Sequence, residues 1–302
     1  MLWYESLDQK IQQYLPDLAV ECDVPMQRHT SFRIGGPARR MAFPVNREQL
    51  VILLGLAQEC GIKPFIMGKG TNLLVADEGL DTLVIKTEQM NAIRQLDDVT
   101  LEADAGISLA RLAVFAQQNG LAGLEFAHGI PGSLGGAVFM NAGAYGGEMK
   151  QVVIEVAALF EDGVRYLTAE EAQFAYRHSV FSNADAVVLG AKLRLEKGDS
   201  AEIRARMDDL MARRKQSQPL EYPSAGSTFK RPTGYFAGTL IEQTGLKGLT
   251  VGGAQVSEKH AGFVINIGGA TCADVTELIA QVQQRVLDAH GVQLEPEVKI
   301  IR

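Results

Sequence analysis

The chain has 302 residues, of which 46% are hydrophobic and 22% charged, and this globular composition excludes extensive disorder and fibrous repeats. Its formal net charge of −7 argues against a general nucleic-acid-binding or membrane-surface role, since both need a basic surface, although one basic pocket for an anion remains compatible. The length corresponds to two or three domains of about 100–200 residues each.

The cysteines and the N-terminal residues predict the compartment. Cys22, Cys60 and Cys272 are odd in number, widely spaced and in no Cys-x-x-Cys pair, which is typical of a reducing cytoplasm. Residues 1–5 lack the basic start and apolar core of a signal peptide. The longest uncharged stretch, residues 126–147, is interrupted by glycines and polar residues. We therefore expect a cytoplasmic protein without membrane insertion.

Glycine is the one unusual component. Nine of the 31 glycines lie between Gly120 and Gly147, the first glycine window, and seven lie between Gly245 and Gly269, the second glycine window. Glycine allows positive φ and a close approach of backbone to a ligand. Both windows are therefore predicted to need bare backbone.

Helices and strands alternate before the first window. Asn46 is predicted to cap a helix over residues 49–60 that ends at Gly61, and Ser108 a helix that ends at Gly120. Short apolar runs predict strands at residues 63–67, 82–86 and 99–103. The first of these strands leads directly into a glycine-containing loop, an arrangement that is common at ligand sites.

The remaining elements follow the first window. A hairpin is predicted around Asp162-Gly163, a capping box at Thr168 and Glu171, and a strand over residues 186–195. A charged helix is then predicted from Ser200, and the change in composition just before it predicts a domain boundary. The last predicted elements are a helix over 235–244, a strand over 263–266, a helix capped by Thr271 and Asp274, and a strand over 298–301.

Several common site motifs are missing from the sequence. There is no Walker A pattern, and the single Gly-x-Gly, Gly68-Lys69-Gly70, has Leu73 where a dinucleotide fingerprint needs its third glycine. The five histidines lack metal-ligand spacing and Gly-x-Ser-x-Gly is absent. These observations disfavour P-loop, Rossmann, metal-centred and serine-hydrolase chemistry.

Two glycine-containing loops are candidate phosphate sites. Residues 129–136 can form a run of turns whose exposed N–H groups bind phosphate oxygens, and residues 68–74 form a second such loop. Each loop alone is more often an ordinary tight turn. If the two approach each other, they can hold both phosphates of a dinucleotide.

These loops carry a resemblance. Residues 68–74 and 132–136 resemble the flavin-diphosphate site of the vanillyl-alcohol oxidase and p-cresol methylhydroxylase FAD-binding fold. Further segments resemble the UDP-N-acetylenolpyruvoylglucosamine reductase family, in its order, across residues 27–302. They are Thr30–Gly36, Asn141–Gly146, Tyr176–Phe181, Ala225–Lys230 and Glu295–Val298. The spacing between Gly234 and Gly253 indicates the shorter subclass, without the tyrosine loop.

The resemblance implies an α+β fold and a domain division. We expect an N-terminal helical segment over residues 1–20 and a two-lobed FAD-binding domain over 21–198, with lobes at about 21–90 and 91–198. A smaller α+β substrate-binding domain is expected over 199–302, with the last strand returning to the FAD domain.

The implied activity is a two-step reduction in peptidoglycan precursor synthesis. In the family, NADPH reduces non-covalently bound FAD, and hydride then passes to the enolpyruvyl ether of a UDP-sugar to give UDP-N-acetylmuramate. The serine that protonates the carbon next to the carboxylate corresponds to Ser227.

The chemistry of the residues supports three catalytic assignments. Arg177 can bind the substrate carboxylate bidentately, on which charge accumulates during hydride addition. The hydroxyl of Ser227 is an adequate acid toward a carbanion-like intermediate if it is held close. Glu297, after Pro296, would polarise the site or relay the proton. Alone, each would be read as a surface, turn or capping residue, and only the resemblance assigns all three to one site.

The resemblance also implies binding residues. FAD contacts are expected from Arg33, Gly68, Lys69, Gly70, Thr71, Asn72, Leu73, Gly129, Ile130, Pro131, Gly132, Ser133, Gly136, Asn141, Ala142 and Gly143. Substrate contacts are expected from Tyr145, Tyr176, Arg214, Lys230 and Arg231. Arg213, Arg214, Lys230 and Arg231 form a basic cluster suited to the UDP diphosphate, although Arg231 stands where some family members have asparagine.

Two other functions stay open at this point. The first is a flavin oxidase or dehydrogenase of the same fold that acts on an alcohol or hydroxy acid. The second is a non-catalytic nucleotide-sugar-binding protein, which the presence of all three catalytic candidates disfavours. No long apolar exposed face is evident in the sequence, so we expect a monomer.

Overall fold

The computed structural model describes residues 2–302, which form two compact units. Unit 1 contains residues up to 22, 40–69 and 82–213, and unit 2 contains 23–39, 70–81 and 214–302. This division differs from the predicted contiguous domains, because two early segments fold with the C-terminal residues. In unit 2, the hydroxyl of Ser31 donates to the carbonyl of Ser224 at 2.6 Å. Local sequence patterns do not reveal such a return of the chain.

Residues 2–302 contain seven α-helices, three of which begin with a side-chain cap. Asn46 accepts a hydrogen bond from the Gln49 amide, and Ser108 from the Arg111 amide, as predicted. The capping box of Thr271 and Asp274 is also confirmed. The helices are α1 Trp3–Tyr14, α2 Arg47–Glu59, α3 Leu109–Gln118, α4 Leu134–Met140, α5 Ser200–Ser217, α6 Ala237–Gln243 and α7 Cys272–His290.

The strands are short. In chain order they are β1 Ala19–Pro25, β2 Pro37–Phe43, β3 Phe65–Met67, β4 Leu73–Val75, β5 Leu80–Lys86, β6 Ile93–Gln95, β7 Thr100–Asp104, β8 Leu121–Ala122, β9 Gly143–Ala144, β10 Gly147–Glu148, β11 Val153–Phe160, β12 Gly163–Thr168, β13 Val187–Arg194, β14 Glu196–Lys197, β15 Ser224–Ser227, β16 Thr250–Val251, β17 Ala254–Val256, β18 Phe263–Asn266 and β19 Lys299–Ile301. The predicted hairpin is β11–β12, which pairs Phe160 with Gly163.

The strands form three larger sheets. One has the order β1-β2-β5-β3 and another the order β12-β11-β13-β7-β6. In unit 2, β15, β18, β17 and β16 form an antiparallel sheet in that order. The separate pair β4 and β19 is parallel and joins Leu73 to Lys299. This pair brings the end of the chain to the first glycine-containing loop.

Each unit has its own apolar core. In unit 1, one cluster lies around α3, α4 and the five-stranded sheet, and a second lies around α1 and α2. In unit 2, the apolar face of α7 packs against α6 and the four-stranded sheet. Val275, Leu278, Ile279, Val282 and Val286 of α7 are buried, as their helical spacing predicts. Among residues 2–302, no helix has the length and apolar character needed to span a membrane.

Two local predictions need correction. Residues 134–136 were expected in a run of turns but begin α4, because tertiary contacts outweigh the poor helix propensity of two adjacent glycines. Thr168 and Glu171 make the reciprocal bonds of a capping box. No helix follows, and the bonds close a turn instead.

Candidate active site

The two glycine-containing loops meet in unit 1. A Cβ atom on Gly68 would lie 2.0 Å from Oγ of Ser133 and 3.0 Å from its Cβ. Ser133 is 3% exposed, so its hydroxyl has little room to move aside. Glycine at position 68 is therefore required for the contact, and the predicted approach of the loops is confirmed at this point.

Several backbone amides of the second loop donate hydrogen bonds to other protein groups. The amide of Ile130 donates to Ala127, and that of Gly132 to the Ile130 carbonyl. The first two amides of α4, from Leu134 and Gly135, donate to the carbonyls of Ile107 and Ala105. The loop is thus a docked helix start rather than the open run of N–H groups that was expected.

Gly136 differs from its neighbour Gly135. A Cβ on Gly135 would lie 2.8 Å from Cβ of Ala105, whereas the nearest atom to a Cβ on Gly136 is Oγ of Ser133 at 3.6 Å. The backbone of Gly136 therefore faces space that the protein itself does not fill. Gly136 is the third residue of α4, and its lack of a side chain would let a ligand approach the backbone closely.

Asn141 anchors the turn that carries Arg177. It ends α4 with φ of +43°, and its amide nitrogen donates to a carboxylate oxygen of Glu148 and to the carbonyl of Ala175. Its amide oxygen accepts the N–H of Lys150. Three protein contacts thus engage this buried side chain, and the structure gives it a positioning role. Its predicted FAD contact stays a prediction.

Arg177 lies on a strained turn in unit 1. Ala175 and His178 exchange two backbone hydrogen bonds, which place Tyr176 and Arg177 at the tip. Arg177 has φ of +52°, a region where non-glycine residues are uncommon, and its guanidinium lies 5.2 Å from the centre of the Tyr176 ring.

Positive φ concentrates at the predicted site residues. Among residues 2–302, six non-glycine residues have positive φ, and four of them belong to the predicted site: Arg33, Asn141, Tyr145 and Arg177. Each such residue costs of order 1–3 kcal/mol and marks a candidate functional position. The coincidence supports the assignments independently of the motifs.

Ser227 ends β15 in unit 2. It pairs with Phe263 of β18 after a register shift, and the preceding Gly226 has φ of +79°. The next residue, Thr228, is buried and donates its N–H to Gly262, while its hydroxyl accepts the N–H of Val264. The exposed side chain of Ser227 is therefore carried by a firmly bonded strand end.

Glu297 is attached to the same strand end. Its N–H donates to the carbonyl of Thr228 at 2.8 Å. The carbonyl of Glu297 accepts the side-chain N–H of Asn72, and the Lys299 N–H donates to the Asn72 carbonyl. Ser227, Glu297 and Asn72 are thus brought together in unit 2, although 225 residues separate the last two in sequence.

The basic cluster is divided by its ion pairs. On α5 in unit 1, Arg213 pairs with Asp209 at 2.8 Å. In unit 2, Lys230 pairs with Glu295, and the two residues are also joined through their backbones. The guanidinium of Arg231 lies over the ring of Phe236. Phe236 was not among the predicted site residues, since an exposed aromatic at a helix start has no motif to reveal it.

Arg33 lines a cleft of unit 2. The cleft has a volume of about 930 Å³ and is also lined by Asp77, Tyr222 and Asn266. Arg33 is exposed and has φ of +55°. None of the other predicted site residues lines this cleft, so the FAD contact of Arg33 stays a prediction.

His260 contacts the residues that pair with the strand end of Ser227. Nδ1 of His260 accepts the N–H of Gly262 at 3.1 Å, and its ring lies edge-on to Phe263 with 4.9 Å between centres. Burial lowers the pKa of His260 below its usual value. The neutral form is therefore favoured, and it supplies the acceptor that this turn needs.

Two family models match the chain. The model described as "FAD binding domain" matches residues 38–167, and the model described as "UDP-N-acetylenolpyruvoylglucosamine reductase, C-terminal domain" matches residues 218–301. The second match contains Ser227 and Glu297, and the first contains both glycine-containing loops.

Curated relatives extend over almost the whole chain. The UDP-N-acetylenolpyruvoylglucosamine reductase of Caldanaerobacter subterraneus subsp. tengcongensis is 47% identical over 298 residues, with 98% of each chain covered. The protein of the same name from Clostridium perfringens is 50% identical over 283 residues, with 93% of each chain covered.

Solved structures confirm the predicted fold class. The UDP-N-acetylenolpyruvylglucosamine reductase of Thermus caldophilus has a TM-score of 0.81 and 35% identity, covering 94% of this chain and 100% of that chain. An alkyldihydroxyacetonephosphate synthase has a TM-score of 0.51 and 18% identity, covering 64% of this chain and 44% of that chain. The second similarity shows a shared fold alone.

Proposed function

This chain belongs to the UDP-N-acetylenolpyruvoylglucosamine reductase family of FAD oxidoreductases, and on that premise we propose that it reduces the enolpyruvyl ether of UDP-N-acetylglucosamine-enolpyruvate to UDP-N-acetylmuramate, with NADPH as reductant. Identity near one half over more than nine tenths of the relatives' length supports the proposal. The reaction adds one hydride and one proton across a carbon–carbon double bond.

The residues of the two loops fit FAD. Bare backbone at Gly68 lets the loops meet at Ser133, and Gly136 leaves space in front of the third residue of α4. Bare backbone at these glycines lets a phosphate oxygen approach main-chain N–H groups closely. We assign the flavin diphosphate to these residues and to the adjoining positions 69–73 and 129–132. When bound, FAD supplies the chemistry that accepts hydride from NADPH and delivers it to the vinyl carbon of the substrate.

The observation that carries the proposal is the attachment of Glu297 to the strand end of Ser227. After hydride addition, the carbon beside the carboxylate bears excess electron density and takes a proton. We assign this proton to the hydroxyl of Ser227, whose O–H bond breaks as the C–H bond forms. Glu297 is held in place by a backbone hydrogen bond to Thr228. We assign it to polarise the hydroxyl of Ser227 or to return its proton.

Arg177 is assigned to the carboxylate of the enolpyruvyl group. A guanidinium that binds this group before the reaction stabilises the charge that develops on it, without reorganisation during the step. The strained turn and the anchoring bond from Asn141 to Ala175 hold the position of Arg177. We assign Lys230 and Arg231 to the UDP diphosphate, and Tyr145, Tyr176 and Arg214 to the remaining substrate contacts.

The two half-reactions test the proposal separately. Ser227→Ala is expected to leave reduction of the flavin by NADPH nearly unchanged and to slow its reoxidation by the enolpyruvyl sugar at least about a hundredfold, as expected for loss of a proton donor. Stopped-flow absorbance of the flavin measures both steps. Thr250→Val, which removes a hydroxyl from β16 of the same sheet, serves as the control.

Two outcomes contradict the proposal. Equal slowing of both half-reactions in Ser227→Ala would remove the proton-donor assignment. Reoxidation of wild-type flavin by oxygen after reduction by an alcohol, with no reaction of the enolpyruvyl sugar, would instead favour an oxidase of the same fold. We also propose that the protein is cytoplasmic, which the three free thiols support. We further propose that it is a monomer, and light scattering of the purified protein measures its mass.

A further inference from the structure

We infer that Phe236 is a positioning residue that holds the guanidinium of Arg231 for the substrate diphosphate. The inference rests on the proposed function, since it adds a residue to the same site. The central carbon of the guanidinium lies 3.9 Å from the centre of the Phe236 ring, and Nε of Arg231 donates to the carbonyl of Tyr235 at 3.3 Å. The side chain is thus held by a ring face and by a backbone carbonyl.

A tight turn creates this contact. The N–H of Tyr235 donates to the carbonyl of Pro232, and Gly234 has φ of +79° at the third position of the turn. Glycine is favoured there because other residues rarely adopt positive φ. The turn folds residue 236 back under residue 231, so both side chains face each other across only four intervening residues.

The helix that begins after Phe236 is fixed to the core of unit 2. Phe236 is the N-cap of α6, which buries Ala237, Leu240 and Ile241. On the same helix, Gly238 approaches the 260–262 turn so closely that a Cβ would lie 3.3 Å from the Gly262 nitrogen. Gly262 in turn accepts the N–H of Thr228, next to Ser227. The backbone position of residue 236 is therefore linked, through the packing of α6, to the strand end that carries Ser227.

Phe236 is 59% exposed even though a large apolar side chain gains by burial. Substitution by a polar residue would cost little burial energy at such a site, so a role in holding the neighbouring cation accounts better for an aromatic ring. Lys230, the other cation of this segment, is held differently, by an ion pair with Glu295.

Stacking suits the recognition of phosphate. A guanidinium stacks through its flat face, while its N–H donors lie in the plane and can bind two oxygens of one phosphate. The ring therefore orients the donors without competing for them. It also limits the rotamers of a long side chain, whose loss of freedom would otherwise weaken binding.

Binding of UDP itself tests the inference. Phe236→Leu is expected to weaken UDP binding about three- to tenfold, the range of a partly desolvated cation–π contact, and to raise KM for the enolpyruvyl sugar with kcat nearly unchanged. Phe236→Tyr, which keeps the ring, should restore both values. Phe160→Leu is the matched control, because it removes a cation–π contact with Arg165 in unit 1.

A double-mutant cycle distinguishes positioning from direct contact. If Phe236 acts through Arg231, adding Phe236→Leu to Arg231→Ala has no further effect on UDP affinity. Additive effects of the two changes, or wild-type UDP affinity in Phe236→Leu, would overturn the inference. Failure of the proposed function looks different, since wild-type protein would then neither bind UDP nor turn over the enolpyruvyl sugar. The flavin spectrum and thermal unfolding of each variant confirm that it is folded.

Discussion

The two glycine windows use the same residue for different physical reasons. In the first window, three of nine glycines have positive φ, whereas in the second five of seven do. Other glycines of the first window have ordinary φ and allow close approach, since a Cβ on Gly147 would lie 2.5 Å from the Phe126 ring and one on Gly135 2.8 Å from Ala105. Backbone handedness dominates in the second, where Gly245 ends α6 with φ of +73° and open space around it.

The comparison separates cofactor binding from folding. Glycines that allow close approach shape the surface of the proposed FAD site, so their substitution should affect FAD directly. Glycines that allow positive φ shape turns of unit 2, so their substitution should affect stability and leave FAD alone. Substitutions in each window, and at Gly68, which contacts Ser133 within the first window, test whether this separation holds.

The largest effect is expected for Gly68→Ala. The new methyl group would meet the buried Oγ of Ser133 at 2.0 Å, and relief of such overpacking costs about 1–3 kcal/mol. We expect FAD affinity to fall about tenfold or more, measured by titration of the apoprotein with FAD. Adding Ser133→Ala removes the clashing oxygen and should recover the part of the loss that the clash causes. Unchanged FAD affinity in Gly68→Ala would show that FAD binding does not depend on glycine at the contact between the two loops.

Adjacent glycines of α4 provide a matched pair. Gly136→Ala has room within the protein and gains about 1 kcal/mol of helix propensity, so the apoprotein should melt at a higher temperature while FAD binds several-fold more weakly. Gly135→Ala should instead destabilise the apoprotein, because its methyl group meets Ala105. Thermal unfolding and FAD titration of both variants measure the difference. Tighter FAD binding by Gly136→Ala would mean that no ligand occupies this space.

A smaller effect is expected for Gly245→Ala in the second window. The methyl group meets no atom within 4 Å, so the cost of about 1–2 kcal/mol arises from the left-handed backbone alone. Chemical denaturation should show this loss, and Gly245→Asn should lose less, since asparagine tolerates such φ values. A loss of FAD by Gly245→Ala at temperatures where the protein remains folded would contradict the separation of roles.

The smallest effect is a pH dependence of stability at His260. Because the folded-state pKa lies below the unfolded value of about 6.5, folding releases protons from this group, and its contribution is complete above that pH. The contribution is lost as the pH falls through the unfolded value toward the folded one. When the pH is lowered from about 7.5 to about 5.5, the melting temperature of the wild type should therefore fall more than that of His260→Gln. Equal falls would exclude the histidine as a cause.

Elements specified by local contacts could be predicted from the sequence. The caps at Asn46, Ser108 and Thr271 depend on a residue three positions later, and all three formed. α4 could not be predicted, because its first amides donate to the carbonyls of Ile107 and Ala105, which lie far earlier in the sequence. Tertiary partners decide the conformation where intrinsic propensity is weak.

The candidate site was accessible to sequence reasoning only through the family motifs. Spacing gives no reason to join Ser227 to Glu297, and the bridge between Phe229 and Pro296 that does so is visible only in the structure. The same holds for the ion pair of Lys230 with Glu295 and for the bonds that engage Asn141. Motifs identify which residues matter, whereas these contacts show how they are held.

The parallel pairing of β4 with β19 has a consequence for how the protein is made. Leu73 leaves the ribosome long before its partner Lys299, which lies far later in the sequence. Closing so long a loop is entropically costly, and such non-local pairs form slowly. The growing chain must therefore hold β4 and Asn72 unpaired until residues 299–301 have been synthesised, and during that period other chains or chaperones can compete for the exposed strand edge.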